Sequence, residues 1–491
     1  MKILSTTNVL RSVICLLAAV STCPAQDTSV GILPLRVEST PINDGPTALD
    51  EYVAAPDDTY QWQLVASKRV DGFRYHVIDL KSQTWLTPAE VDRPVWQHWL
   101  TLIIPDAATS ETAMMMIDGG SNGKAAPEKW NPLAAQVALA TRSIVATVSM
   151  IPNQPLEFSG DGQRRYEDDL IGYTWDKYMK TDDARWPARL PMTKAVVRAM
   201  DTVEAFTAQD NIDGPAVTSF VVTGASKRGW TTWTTAAVDD RVKAIAPIVI
   251  DVLNVSKSMD HHFAAYGFWA PAIGNYVQHK ITDRFFDPQC KALLQLVDPF
   301  AYRDRLTMPK LILNAAGDQF FLPDSSQCYF DELLGEKHLC YVPNGDHSLG
   351  GTNALESLIA FHYAILNEID RPDLAWESLN ASSTRIEPTM KPSQVTLWQA
   401  TNPNARDFRV ETIGRSYLAS EIQPSADGSY LAEVEVPEQG FTAFLVQFEF
   451  DIGAPTPLRL TTPVRVIPDT LPFADHLERR ARVDQPRQTD S

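Results

Sequence analysis

At 491 residues the chain is too long for one compact core of ordinary size, so one large domain or two unequal ones is expected. Its 44% apolar and 21% charged residues are those of a soluble globular protein. The net charge of −18, from 43 Lys and Arg against 61 Asp and Glu, argues against a nucleic-acid partner and against adhesion to an anionic membrane by charge.

The chain opens on an export signal. Lys2 and Arg11 supply positive charge, Val13 to Val20 is a short apolar run, and Cys23-Pro24-Ala25 ends it on a small residue. Cleavage after Ala25 is therefore predicted, with a periplasmic or secreted mature protein. The run is too short to span a bilayer, and no later stretch is apolar enough to be transmembrane. A lipoprotein signal ending at Cys23 is the competing reading, weakened because Thr22 is large for the position before the cysteine. Cleavage would leave Cys290, Cys328 and Cys340, which allow at most one internal disulfide and fit no zinc spacing.

Residues 26–45 are polar and proline-dotted, a linker. Trp62 to Lys68 and Phe73 to Leu80 alternate like half-buried strands, with Val70-Asp71-Gly72 as a hairpin signal. Trp99 to Pro105 is a further strand. Then the pattern changes. Met114–Ile117, Ile144–Val148, Phe220–Val222, Ala244–Ile250, Lys310–Leu313 and His338–Val342 are short, nearly continuous apolar runs, suited to strands buried on both faces of a parallel sheet. Met192 to Phe206 has helical spacing. Residues 46–388 thus predict an α/β architecture with a mixed, mostly parallel sheet. Within them, 252–305 break the rhythm and hold His261, His262, Tyr266, Phe268, Trp269 and Tyr276, a helical cap insertion. From 389 to 472, Val395–Trp398, Phe408–Val410, Tyr430–Val436 and Thr442–Phe450 predict strands of a small C-terminal β-sandwich. Residues 473–491 are charged and expected to be disordered.

Val221 to Trp230, VVTGASKRGW, places Ser226 between a strand and a helix running from Lys227 to Val238. That is the setting of a nucleophile elbow, G-x-S-x-G, except that Arg228 stands where the second glycine belongs and Gly229 follows one place late. Downstream, Asp318 and His347 each lie just beyond a predicted strand. The chain order Ser, Asp, His is that of α/β-hydrolases, and the strand ends are the edge where α/β sheets bind ligands. Asp251 and Asp324 compete with Asp318 as the acid. An oxyanion hole would take the N–H of Lys227 and one from Asp118-Gly119-Gly120-Ser121-Asn122-Gly123, with Gly119 and Gly120 both eligible.

Each of these residues has a plainer reading. A serine in such a turn often only caps the helix. His261 and His262 lack a third nearby ligand and read as structural, so no metal is expected. Asp346 reads as a loop-stabilising residue. Arg164 to Asp169 reads first as a solvated charge run, the sharper alternative being that Glu167 or Asp168 fixes a cationic group of the substrate.

The stretches DGGSNG, YEDDLIGYTWDKY, TGASKRGWTTW, NAAGDQFFLPDSS, PNGDHSL and TTPVRVIPDTLPF together resemble the PhoPQ-activated pathogenicity-related protein family, over about residues 45–472. GASKRG also resembles the G-C-S-R-x-G elbow of glucuronoyl esterases. The resemblance implies an α/β-hydrolase fold with Ser226 as nucleophile and Asp318 and His347 as its partners. The expectation is a secreted serine hydrolase without cofactor, cleaving an ester or a peptide bond in a small-molecule or peptide substrate. The aromatic cap suggests that this substrate is bulky or partly apolar. The rival is a non-catalytic binding or signalling protein on the same scaffold.

Overall fold

The computed structural model describes residues 45–475; the segment expected to be an export signal, nearly all of the expected linker and the end of the charged tail lie outside the described residues. Nine strands form the first part of a long sheet. β1 (Gln61–Val70), β2 (Phe73–Thr84) and β3 (Val95–Pro105) are antiparallel neighbours. β4 (Thr112–Ile117), β5 (Val145–Val148), β6 (Ser219–Ala225), β7 (Val242–Ile248), β8 (Lys310–Ala315) and β9 (Lys337–Val342) are parallel to one another. Their order is β1-β2-β3-β5-β4-β6-β7-β8-β9. This is the mixed, mostly parallel sheet of an α/β-hydrolase fold.

The continuous apolar runs are explained by burial on both faces. Phe220 and Val222 enter one core cluster and Val221 the other; Ile312 and its neighbours Leu311 and Leu313 divide in the same way. Helices cover both sides: α1 (Ala48–Ala54), α2 (Pro132–Thr141), α3 (Glu167–Thr181), α4 (Arg189–Thr207) and α5 (Lys227–Val238). Residues of α3, α4 and α5 fill the first cluster, and those of α2 the second. The chain leaves β4 toward β5 on one side and returns to β6 on the other. A crevice at the C-terminal ends of β4 and β6 follows from that reversal, where Ile117 pairs with Gly224.

The insertion after β7 is helical as expected, with α6 (Val255–Tyr266), short turns and a helix at Pro288–Val297. No helix among the described residues is long and apolar enough to cross a membrane. Cys290, Cys328 and Cys340 are buried and unpaired.

The C-terminal strands are β10 (Leu374–Asn380), β11 (Ser383–Pro388), β12 (Gln394–Asn402), β13 (Leu418–Glu421), β14 (Tyr430–Glu433), β15 (Phe441–Phe450), β16 (Leu458–Thr461) and β17 (Arg465–Ile467). The sandwich is present in part. β10, β11 and β14 make a separate three-stranded sheet, and Tyr430 on it packs edge-on against Phe448 of β15. β16, β15, β12 and β13 instead prolong the central sheet beyond β9, joined by the pair Thr461–Leu339. The first two sandwich strands precede residue 389, and residues 45–475 cluster as one compact unit. The strand expected at Phe408–Val410 is absent. Phe408 is buried in a loop before a short helix at Val410–Ile413, and the Val410 N–H donates to Gly317 O at 3.0 Å.

Candidate active site

Ser226 sits between β6 and α5 with φ 59° and ψ −125°, a backbone conformation that L-residues rarely adopt. The turn is held by the Ser226 N–H donating to Ile248 O at 2.8 Å and by Trp230 N–H donating to Ser226 O at 3.0 Å. Two glycines make room for it. A Cβ on Gly224 would lie 2.8 Å from Arg228 O, and one on Gly229 would lie 2.9 Å from both Gly224 O and the Ile250 side chain. Gly229, one place late in the motif, therefore lies where the helix packs directly on sheet backbone. α5 is rich in threonine yet buried because hydroxyls bond back along the helix: Thr231 to Lys227 O at 3.1 Å and Thr232 to Arg228 O at 3.0 Å.

The loops after β8 and β9 bring Asp318 and His347 together. His347 Nδ1 lies 2.8 and 3.0 Å from the two Asp318 oxygens. Asp318 is buried, and its Oδ1 also accepts the Phe320 N–H at 2.7 Å. Gly317 N–H donates to Gly345 O at 3.0 Å, and a Cβ at Gly317 would lie 2.9 Å from that oxygen, so glycine lets the loops meet. The rival acids are engaged elsewhere. Asp251 accepts the hydroxyls of Tyr329 and Tyr341, each at 2.6 Å; burial pushes its carboxyl up to about 7. Asp324 is held by Arg406 and by His261, whose Nε2 is 3.0 Å away; against the effect of burial, these partners keep its carboxyl well below the usual range. Asp346 accepts from the N–H and hydroxyl of Ser348, within its own loop.

The glycine loop after β4 lies against the elbow. Gly120 has φ +137°, and a Cβ there would sit 3.1 Å from Met150. The Gly119 N–H donates to Asp118 Oδ1 at 2.7 Å. Beside Gly119 lies the guanidinium of Arg228, 2.8 Å from where a Cβ would be. Arg228 is thus more than a missing glycine. Its Nε donates to Ile151 O at 2.5 Å and its two terminal nitrogens fork onto Glu167, both at 2.7 Å. Lys227 Nζ joins Glu167 at 2.9 Å and Asp168 at 3.1 Å. Burial alone would raise the Glu167 carboxyl, but Arg228 and Lys227 outweigh it and hold it at about 2. Glu167 and Asp168 are neither a solvated run nor an open anionic site: both are already paired with cations of the elbow.

A cavity of about 60 Å³ opens on Ser226. Its walls are mainly apolar and include Phe320 and Phe321, whose rings also pack on His347 with centroids 4.3 and 6.0 Å apart. The cap contributes Ile273, Tyr276 and Phe285. Its other aromatics pack on each other: Tyr266 stacks on Phe268, and His262 lies against Tyr266 and Trp269. The lining is mainly apolar, as expected. His262 is buried, which draws its pKa down to about 3. No group of three or more His, Cys, Asp or Glu among the described residues is arranged to hold a metal ion. Sequence reasoning missed Arg189, buried on the cavity wall, because nothing in Arg189-Leu190-Pro191-Met192 marks it. The opposite charges of Arg228 and the Glu167 run were a legible signal that was not joined.

Residues 49–409 match the family described as PhoPQ-activated pathogenicity-related protein. The chain is 38% identical over 464 residues to Autocrine proliferation repressor protein A of Dictyostelium discoideum, covering 89% of this chain and 93% of that protein. Among solved structures, it is similar to acetyl xylan esterase 1 of a Thermoanaerobacterium species, with TM-score 0.42, 17% identity and coverage of 62% of this chain and 89% of that one. The acetyl xylan esterase of a Paenibacillus species gives TM-score 0.43, 15% identity and coverage of 65% and 91%.

Proposed function

Because the chain belongs to the PhoPQ-activated pathogenicity-related protein family and gathers these residues on one sheet edge, we propose that it is an exported serine hydrolase cleaving an ester or peptide bond. His347 takes the Ser226 proton on Nε2 while Asp318 holds Nδ1 and stabilises the imidazolium. Ser226 Oγ attacks the carbonyl carbon, and the oxyanion is met by the N–H of Lys227 and of Gly120. Gly120 is preferred to Gly119, whose N–H is already given to Asp118. The leaving group takes the proton from His347, and water then releases the acyl group by the same steps in reverse roles. The observation that carries this reading is the strained, non-glycine backbone of Ser226 at a strand–helix turn.

The test is labelling of the purified mature protein with a fluorophosphonate, beside Ser226→Ala. Labelling of the wild type that disappears in the variant is expected. A folded wild type that stays unlabelled would sink the proposal. The name of the Dictyostelium relative favours a second reading in that event, a secreted signalling protein that uses the scaffold without catalysis.

A further inference from the structure

Charged side chains crowd behind the serine turn. Lys227 and Arg228 are paired with Glu167 and Asp168. Arg189 is not so paired. It is 2% exposed and lines the same cavity as Ser226; it forms no direct ion pair among the described residues, and Asp168, already paired with Lys227, acts on it only from beyond that distance. Its Nη1 donates to Lys227 O at 3.0 Å and its guanidinium lies 4.3 Å from the Trp230 ring centroid, while its Nε is buried without a partner. Tyr276, whose hydroxyl donates to Asp168 at 3.0 Å and is itself hydrogen-bonded with Arg189, supplies no charge: burial raises its pKa, so it stays neutral. Lys227, Arg228 and Arg189 are thus three cations against the two carboxylates of Glu167 and Asp168, and Lys227, Arg189 and Asp168 lie on the mainly apolar cavity wall.

A buried guanidinium without an ion pair of its own is costly, and it remains charged near neutral pH. Burial draws the Arg189 pKa down, and Tyr276 and Asp168, which pull it the other way, do not make up for the lost water. An anion entering the cavity would balance the cluster. We propose that the cavity takes the acyl end of a substrate that carries a carboxylate, and that Arg189 pairs with that carboxylate. The proposal rests on the hydrolase reading and names the substrate class of the same site. A cavity of about 60 Å³ admits roughly four to six water-sized atoms. That suits a short chain such as the two methylenes and carboxylate of a succinyl group, with Ile273 and Phe285 against the methylenes.

The experiment compares kcat/KM for monomethyl succinate and methyl pentanoate, close in length and different in charge, in the wild type, Arg189→Met and Arg189→Lys. The wild type is expected to prefer the anionic ester by roughly tenfold or more. That ratio should fall at least about tenfold in Arg189→Met and less in Arg189→Lys, which keeps the charge without the planar fork. A wild type without the preference, or an unchanged ratio in Arg189→Met, overturns the proposal. Should the variants not fold, the wild type alone decides: succinate must slow fluorophosphonate labelling of Ser226 where pentanamide at equal concentration does not. Absence of labelling would remove the hydrolase reading separately. The anion site then stands if succinate raises Tm of the wild type, and falls if it does not.

Discussion

Ser226 is held at φ 59° and ψ −125° because β6 delivers it and α5 begins one residue later, leaving no room for a relaxed turn. A non-glycine residue in such a region costs about 1–3 kcal/mol. Glycine escapes the Cβ part of that cost, although it loses more chain entropy on folding. Ser226→Gly is therefore expected to be more stable than Ser226→Ala by about 1 kcal/mol, read as the difference in Tm or denaturation midpoint. Equal stability of the two variants would mean that the turn is not strained. The same crowding explains the displaced glycine. At Gly229 a Cβ would meet a carbonyl and Ile250, whereas at Arg228 the side chain points away toward Gly119.

Arg228 and Glu167 join elements that the sheet alone leaves apart. The pair links the first turn of α5 to the first turn of α3, with Ile151 and the glycine loop alongside. Because the Glu167 pKa is about 2 in the fold against 4.5 ordinarily, its contribution is complete above about pH 4.5 and is lost as pH falls toward 2. Glu167→Gln should thus lose less Tm than the wild type between about pH 5 and pH 2.5, measured by thermal scans across that range. Parallel acid profiles would show that the pair does not brace the turn. Asp251, at the end of β7, works in the opposite sense. The folded state binds its proton more tightly than the unfolded chain, with pKa about 7 against 3.8. Stability from this group therefore falls as pH rises from about 4 to about 7. Asp251→Asn should flatten that decline, and an unaltered slope would refute a protonated carboxyl between Tyr329 and Tyr341.

Across the described residues, the C-terminal strands belong to the same body as the sheet that carries Ser226 and His347. β16 continues the sheet beside β9, and Tyr341 N–H donates to Thr461 Oγ1 at 3.1 Å. Asn344, in the loop that carries His347, exchanges two hydrogen bonds with the Tyr417 backbone, at 2.9 and 3.0 Å. A chain ending at residue 388 is expected to lose both a cooperative thermal transition and fluorophosphonate labelling. A truncated protein that folds and labels would make the C-terminal region a separate module.

Apolar runs, helical spacing and turn residues determined β1 to β9, α4, α5 and the cap from the sequence by itself. Those signals are local, and two-sided burial leaves a run of Val, Ile, Leu and Met that needs no partner to be read. The order of Ser226, Asp318 and His347 was legible for the same reason, since each follows its strand directly. The tertiary structure decided what depends on distant partners. Asp318 is the acid at His347 because Asp251 and Asp324 are consumed by tyrosines, a histidine and an arginine from other segments. Glu167 is paired rather than open because Arg228 reaches it from 61 residues away. The loop at Phe408 gave up its strand to reach Gly317. Arg189 on the cavity wall has no sequence mark at all, for the lack of a direct ion pair among the described residues is a property of its surroundings and not of its neighbours in the chain.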